Sequence, residues 1–166
     1  FEGDYREMVT SDYLFSLDRT TGKELWHYKG GVVFHNTITM SDKFLYLIES
    51  RNKKALSTAN GRLRVDDFCK RDNFLVKIAK KTGQKEWEKA VRFPFSQIIY
   101  MANSKGIVLV TGSFNKGKHV HYSLFDFDGE TGSKLWEQSF QGGDTRWDNT
   151  TEKRLAENMV NSGNIR

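Results

Sequence analysis

Tyr122-Ser-Leu-Phe-Asp-Phe-Asp-Gly-Glu-Thr-Gly-Ser-Lys-Leu-Trp136 is the stretch on which the reading of this chain turns. Residues 123–128 are aromatic and apolar with rough alternation, as a half-buried strand requires. A turn follows at Gly129–Gly132, and a second strand carries Trp136. The same design occurs twice more. Residues 13–26 read Tyr-Leu-Phe-Ser-Leu-Asp-Arg-Thr-Thr-Gly-Lys-Glu-Leu-Trp, and residues 74–87 read Phe-Leu-Val-Lys-Ile-Ala-Lys-Lys-Thr-Gly-Gln-Lys-Glu-Trp. Aligned on Gly22, Gly83 and Gly132, Leu14, Leu75 and Leu124 coincide, as do Leu17, Ile78 and Phe127. Each glycine follows a threonine (Thr21, Thr82, Thr131) and precedes a tryptophan by four residues (Trp26, Trp87, Trp136). One hairpin is used three times.

The chemistry of the repeat follows from its residues. Glycine at the end of the turn supplies the positive φ of a tight reversal. The threonine hydroxyl can bond local backbone and hold the turn. Tryptophan opens the outer strand, where its area is worth burying and its N–H needs a partner. Self-similarity at a fixed period marks a solenoid or propeller, whose units bury their faces only against neighbours. The glycines lie 61 and 49 residues apart. That spacing suits a four-stranded propeller blade, with an insertion in the longer interval.

At this point the residues resemble a known family. The pattern T-G-x-x-x-W after a strand, twice with aspartate four residues before the glycine (Asp18 and Asp128), resembles the tryptophan-docking repeat of pyrroloquinoline-quinone (PQQ)-like β-propellers. That group takes in the quinoprotein alcohol dehydrogenases and BamB-like proteins of outer-membrane assembly. The run Trp26-His-Tyr-Lys-Gly-Gly-Val-Val-Phe-His-Asn-Thr-Ile-Thr-Met40, continuing to Leu45-Tyr-Leu-Ile-Glu-Ser-Arg51, is similar to bacterial PQQ-like proteins common in planctomycetes. The resemblance covers roughly residues 5–140. The middle copy departs from it, with Ala79 in place of the aspartate and Glu86 before its tryptophan.

The resemblance implies an all-β fold of consecutive four-stranded antiparallel blades, a partial propeller reminiscent of WD40-like repeats. Blades are expected around 5–29, 32–91 and 97–140, within a unit spanning 1–140. With 166 residues the chain is too short for a ring of four to eight blades, and it reads as a segment of a larger protein. Residues 51–72 interrupt the second blade. They are polar, basic and glycine-punctuated, and are expected to form a solvated loop. Pro94 falls in the crossing to the third blade, where a missing N–H does little harm. Gly142-Gly143 is expected to end the strands. The polar tail 141–166 carries a capping-box pattern at Asn149–Glu152 and an amphipathic run, predicting a short helix at about 150–160.

Charge and cysteine usage bound the function. Of the net charge of +5, four units come from Arg51–Asp72, where seven basic residues face three acidic ones. The basic balance is therefore local. These cations lack the interleaved aromatics of a stacking platform, which argues against nucleic acid as partner. No stretch is long and apolar enough to span a membrane. The single cysteine, Cys69, reads as a free thiol in a loop and excludes an internal disulfide. His119 and His121 share one face of a strand without a third ligand beside them, His35 reads as an inner-strand residue, and no metal site is expected.

Catalytic signatures are missing from the sequence: there is no glycine-rich phosphate cradle, zinc spacing or nucleophile elbow. The leading expectation is a non-catalytic binding or scaffold module. Its blade edges would meet a protein partner or a second copy that completes the propeller, and the resemblance implies a periplasmic or otherwise extracytoplasmic location. One alternative is a portion of a PQQ-dependent dehydrogenase whose PQQ and calcium site lies on other blades. Another is a glycan-binding propeller, with Trp147 and the 51–72 stretch as first suspects. Trp26, Trp87 and Trp136, with their Thr-Gly turns, are expected to be buried in docking between blades. Arg62, Arg64, Asp144, Arg146 and Trp147 are the remaining binding candidates.

Overall fold

The computed structural model describes residues 7–58 and 61–144. The expected helix at 150–160 and the candidates Arg146 and Trp147 lie outside the described residues, as does the side chain of Asp144. In chain order the elements are β1 (Glu7–Ser11), β2 (Leu14–Leu17), β3 (Glu24–Tyr28), β4 (Val32–Phe34), β5 (Thr39–Met40), β6 (Phe44–Ser50), α1 (Lys53–Leu56) and β7 (Arg62–Arg64). There follow α2 (Val65–Cys69), β8 (Asn73–Ala79), β9 (Lys85–Val91), β10 (Ile98–Ser104), β11 (Ile107–Lys116), β12 (His119–Asp128) and β13 (Lys134–Asp144).

All strand pairs are antiparallel. The middle blade is β4/β5–β6–β8–β9, and the third is β10–β11–β12–β13. The β2–β3 hairpin forms a separate two-stranded sheet. The inner strand of the middle blade is split by a 3-10 turn at His35–Thr37. His35 is thus not an inner-strand residue; it is exposed, with Nε2 at 2.7 Å from Ser11 Oγ. The turn persists because Thr37, wholly buried, gives its hydroxyl to Phe34 O at 2.9 Å.

Burial explains why the middle blade is so apolar. Leu45, Leu47, Val76 and Ile78 point to one face, where Leu14 and Tyr28 of the first hairpin pack. Tyr46, Ile48 and Leu75 point to the other, against Val108, Val110, Phe125 and Phe127 of the third blade. A sheet covered on both sides has no solvent face, so β6 is nearly continuous in burial.

The 51–72 stretch departs most from expectation. It is folded: Ala55, Leu63, Val65, Phe68 and Cys69 all belong to the main core, and β7 adds an edge to β1. Asn52 caps α1 by accepting from Ala55 N at 2.9 Å, and its amide N–H group donates to Ser50 Oγ and Asp67 O. Asn73 and Ser50 both donate to Phe68 O. These neutral amides and hydroxyls satisfy the carbonyls of a short helix that would otherwise be orphaned. Cys69 is a free thiol, as expected, but it is buried in α2 rather than placed in a loop, and desolvation pushes it well above the usual range.

Two boundaries also differ. Asn115-Lys116-Gly117-Lys118 reads in the sequence as the hairpin loop of the third blade, but the turn is only Gly117-Lys118, since β11 runs to Lys116. The final strand passes through Gly142-Gly143 to Asp144, stepping over a register shift against His119–His121. Glycines at a bulge tolerate the local bend that stops other residues.

Candidate functional site

The recurrent hairpin builds the junctions between blades, and the first and third turns share one construction. Asp18 Oδ1 accepts from the backbone N–H groups of Thr20 (3.0 Å) and Thr21 (2.7 Å) and from the Thr21 hydroxyl (2.8 Å). Asp128 does the same with Glu130 (3.0 Å), Thr131 N (2.7 Å) and Thr131 Oγ1 (2.9 Å). These donors favour the ionised carboxylate, and both groups sit below their ordinary range. Ala79 cannot supply this ring, so the middle turn is held by Thr82 N and Gly83 N bonded to Ala79 O, by Ala79 N bonded to Gln84 O and by Gln84 N bonded to the Thr82 hydroxyl. All three glycines take positive φ, between 70° and 72°.

The tryptophans meet these turns in sequence. Trp26 Nε1 donates to Lys80 O at 2.9 Å, and its ring lies where a Cβ on Gly83 would come within 2.6 Å. The ring of Trp87 occupies the corresponding place at Gly132, where a Cβ would come within 2.9 Å of it. At that junction the acceptor three residues before the glycine, Gly129 O, takes the Tyr46 hydroxyl at 3.1 Å, and Trp87 Nε1 has no partner among the described residues. Lys77, 2 % exposed, lies 3.9 Å from the centre of the Phe44 ring and reaches Glu130 Oε2 at 2.6 Å.

Trp136 departs from the expected burial. Its residue is 46 % exposed, beside Leu135 and Phe140 on the open edge of β13. The reason is geometric, because no described turn lies across from it. Asp126, opposite Trp136 in register, occupies the place of Lys77 and is raised by burial, opposed by a hydrogen bond from Trp136. At the other end Gly22 has open space where a Cβ would stand.

The contrast between Gly22 and Gly83 gives a stability test. Alanine at either position must take a left-handed conformation, costing roughly 1–2 kcal/mol. At Gly83 it must also displace the Trp26 ring, adding about 1–3 kcal/mol of overpacking. Denaturant titration should therefore find Gly83→Ala clearly less stable than Gly22→Ala. Equal losses would mean that the contact with Trp26 contributes nothing.

The other candidates are dispersed. Arg64 pairs with Asp66 at 3.0 Å and is held there by α2, whereas Arg62 is exposed on β7. His121 stacks on Phe114 at 5.5 Å, a cross-strand packing contact. Among the described residues no group of three His, Cys, Asp or Glu side chains could hold a metal ion. No helix among the described residues is long and apolar enough to cross a membrane.

Sequence reasoning missed a buried polar network. Glu49, fully buried, accepts from the Tyr28 hydroxyl at 2.9 Å and from Arg51 Nε at 2.7 Å. Arg51 forks onto Glu88 with bonds of 3.1 and 2.7 Å and lies 4.1 Å over the Phe74 ring. The available signal was Glu49-x-Arg51, two opposite charges on one face of a strand.

The family model described as outer membrane protein assembly factor BamB matches residues 16–163 of this chain. No curated protein matches it.

Proposed function

The chain belongs to the BamB family of PQQ-like β-propellers, and on that premise we propose that it is a non-catalytic module that works by binding protein. The observation that carries this reading is the unmatched Trp136. Two tryptophans are seated against Thr-Gly turns, while the third stands exposed with Leu135 and Phe140 beside it. At the opposite end the β2–β3 hairpin exposes Phe15, Leu17 and Leu25. Large apolar side chains left exposed at a sheet edge in this way mark interaction sites. In this reading Thr21-Gly22, Thr82-Gly83 and Thr131-Gly132 are sockets, and Trp26, Trp87 and Trp136 are the plugs that join one unit to the next. The partner is a protein surface or a second copy that completes the propeller. By its family the module works outside the cytoplasm.

Native mass spectrometry before and after denaturation tests the reading. We expect an assembly heavier than one chain, which Trp136→Ala weakens at least tenfold while leaving the circular dichroism spectrum unchanged. A lone monomer, or an assembly indifferent to Trp136→Ala, would overturn it.

A further inference from the structure

A cleft of about 740 Å³ opens between α2, the crossing at residues 91–95, and the faces of β12 and β13. That volume lies in the range of roughly 300–1,000 Å³ usual for small-molecule sites. Its floor is aromatic. Phe93 and Phe95 stack at 5.3 Å, and Phe125 meets both edge-on, at 5.1 and 5.7 Å. Together with Phe127 these rings are at most 5 % exposed, so they are fixed by packing and present their edges to the cleft, whose apolar wall is completed by Ala90, Val91 and Pro94.

The rim is charged, and its charges do not cancel. Asp66 is bonded by Arg64, and Lys134 is bonded to Glu137 at 2.8 Å, so each pair is neutral. Lys70 and Arg92 remain, both exposed and neither with a carboxylate partner among the described residues. Lys70 also borders a second hollow, lined by Lys53, Lys54 and Arg71 with no carboxylate in its wall. The apolar floor therefore lies under a positive potential that continues onto α1. Two features converge here: a dry aromatic surface and unbalanced cations at its mouth.

We propose that this cleft binds a small amphipathic anion, with an aryl or acyl body on the phenylalanine floor and a carboxylate or sulfonate at Lys70 and Arg92. Inorganic phosphate would lack the body that the floor is shaped to cover. A neutral hydrocarbon would leave the cations without a counter-charge. This proposal does not rest on the protein-binding reading: its ligand-facing residues, the four phenylalanines with Lys70 and Arg92, lie off β13, and only the mutually paired Lys134 and Glu137 of its rim share that strand with Trp136.

The test uses 1-anilinonaphthalene-8-sulfonate as the amphipathic anion and N-phenyl-1-naphthylamine as its neutral counterpart, both read by fluorescence titration. The sulfonate should bind saturably at one site per chain. The double variant Lys70→Glu, Arg92→Glu should weaken it at least tenfold and leave the neutral dye unchanged. Ala90→Trp, placed at the exposed mouth, should abolish the saturable phase for the sulfonate without touching the buried rings. Three results would overturn the proposal: equal affinity for both dyes, indifference to charge reversal, or a saturable phase that survives Ala90→Trp. Full displacement of the sulfonate by millimolar phosphate would also overturn it, by assigning the site to the anion alone.

Discussion

Replacing Phe68 with alanine is expected to lower the unfolding free energy by about 3–5 kcal/mol, the range for truncating a buried aromatic side chain. Phe68 lies in the basic stretch between β6 and β8, yet it is fully buried and stacked on Phe34 at 3.9 Å with ring planes 17° apart. Its neighbours in the core include Ala55, Leu63 and Val65 of the same stretch. The cost combines lost apolar burial with a cavity that cannot collapse easily, because α2 is tethered at Phe68 O by Ser50, Asn52 and Asn73. A solvated loop would predict a change within about 0.5 kcal/mol, so denaturant titration separates the two pictures cleanly. Lys70→Ala, at an exposed position of the same stretch, is the matched control and should stay near neutral.

The repeat was legible because a hairpin's chemistry is local. Thr-Gly at the turn and tryptophan four residues on depend only on neighbours in sequence, and strand alternation fixes which side chains face inward. The insertion was not legible for the opposite reason. Leu63 and Val65 alternate as a strand does, while Val65, Phe68 and Cys69 follow a helical spacing, so neither period runs long enough to stand out. Seven cations around them gave the stretch the average composition of a surface loop. Trp136 shows a further limit. Its sequence context matches that of Trp26 and Trp87, but burial depends on what lies across the junction, and no pattern within the hairpin encodes that. The aromatic cleft was hidden likewise, because Phe93, Phe95, Phe125 and Phe127 come from segments about thirty residues apart in sequence that meet only in the folded chain.

Arg51→Met is expected to destabilise the protein by about 3 kcal/mol at neutral pH, near the lower end of what removing one partner of a buried ion pair costs. The lower end applies because the Arg51 side chain is itself 32 % exposed. What remains is Glu49, fully buried, with the Tyr28 hydroxyl as its remaining donor and no cation beside it among the described residues. The penalty comes from that stranded charge rather than from the lost bonds, so the double variant Glu49→Gln, Arg51→Met should recover most of the loss. If the double variant is as unstable as the single one, the network is packing and not electrostatics. Acid titration supplies a second readout. Arg51 first, and then Lys85, hold Glu88 down at about 2. A carboxylate lowered in the folded state adds stability that is present above its ordinary value and lost as the pH falls through that value toward 2. In the wild type, stability should therefore decline over this acid window. With Arg51 replaced, only Lys85 still favours ionised Glu88, so the decline should be shallower and the two curves should converge at low pH. Parallel curves throughout would show that Glu88 draws nothing from Arg51.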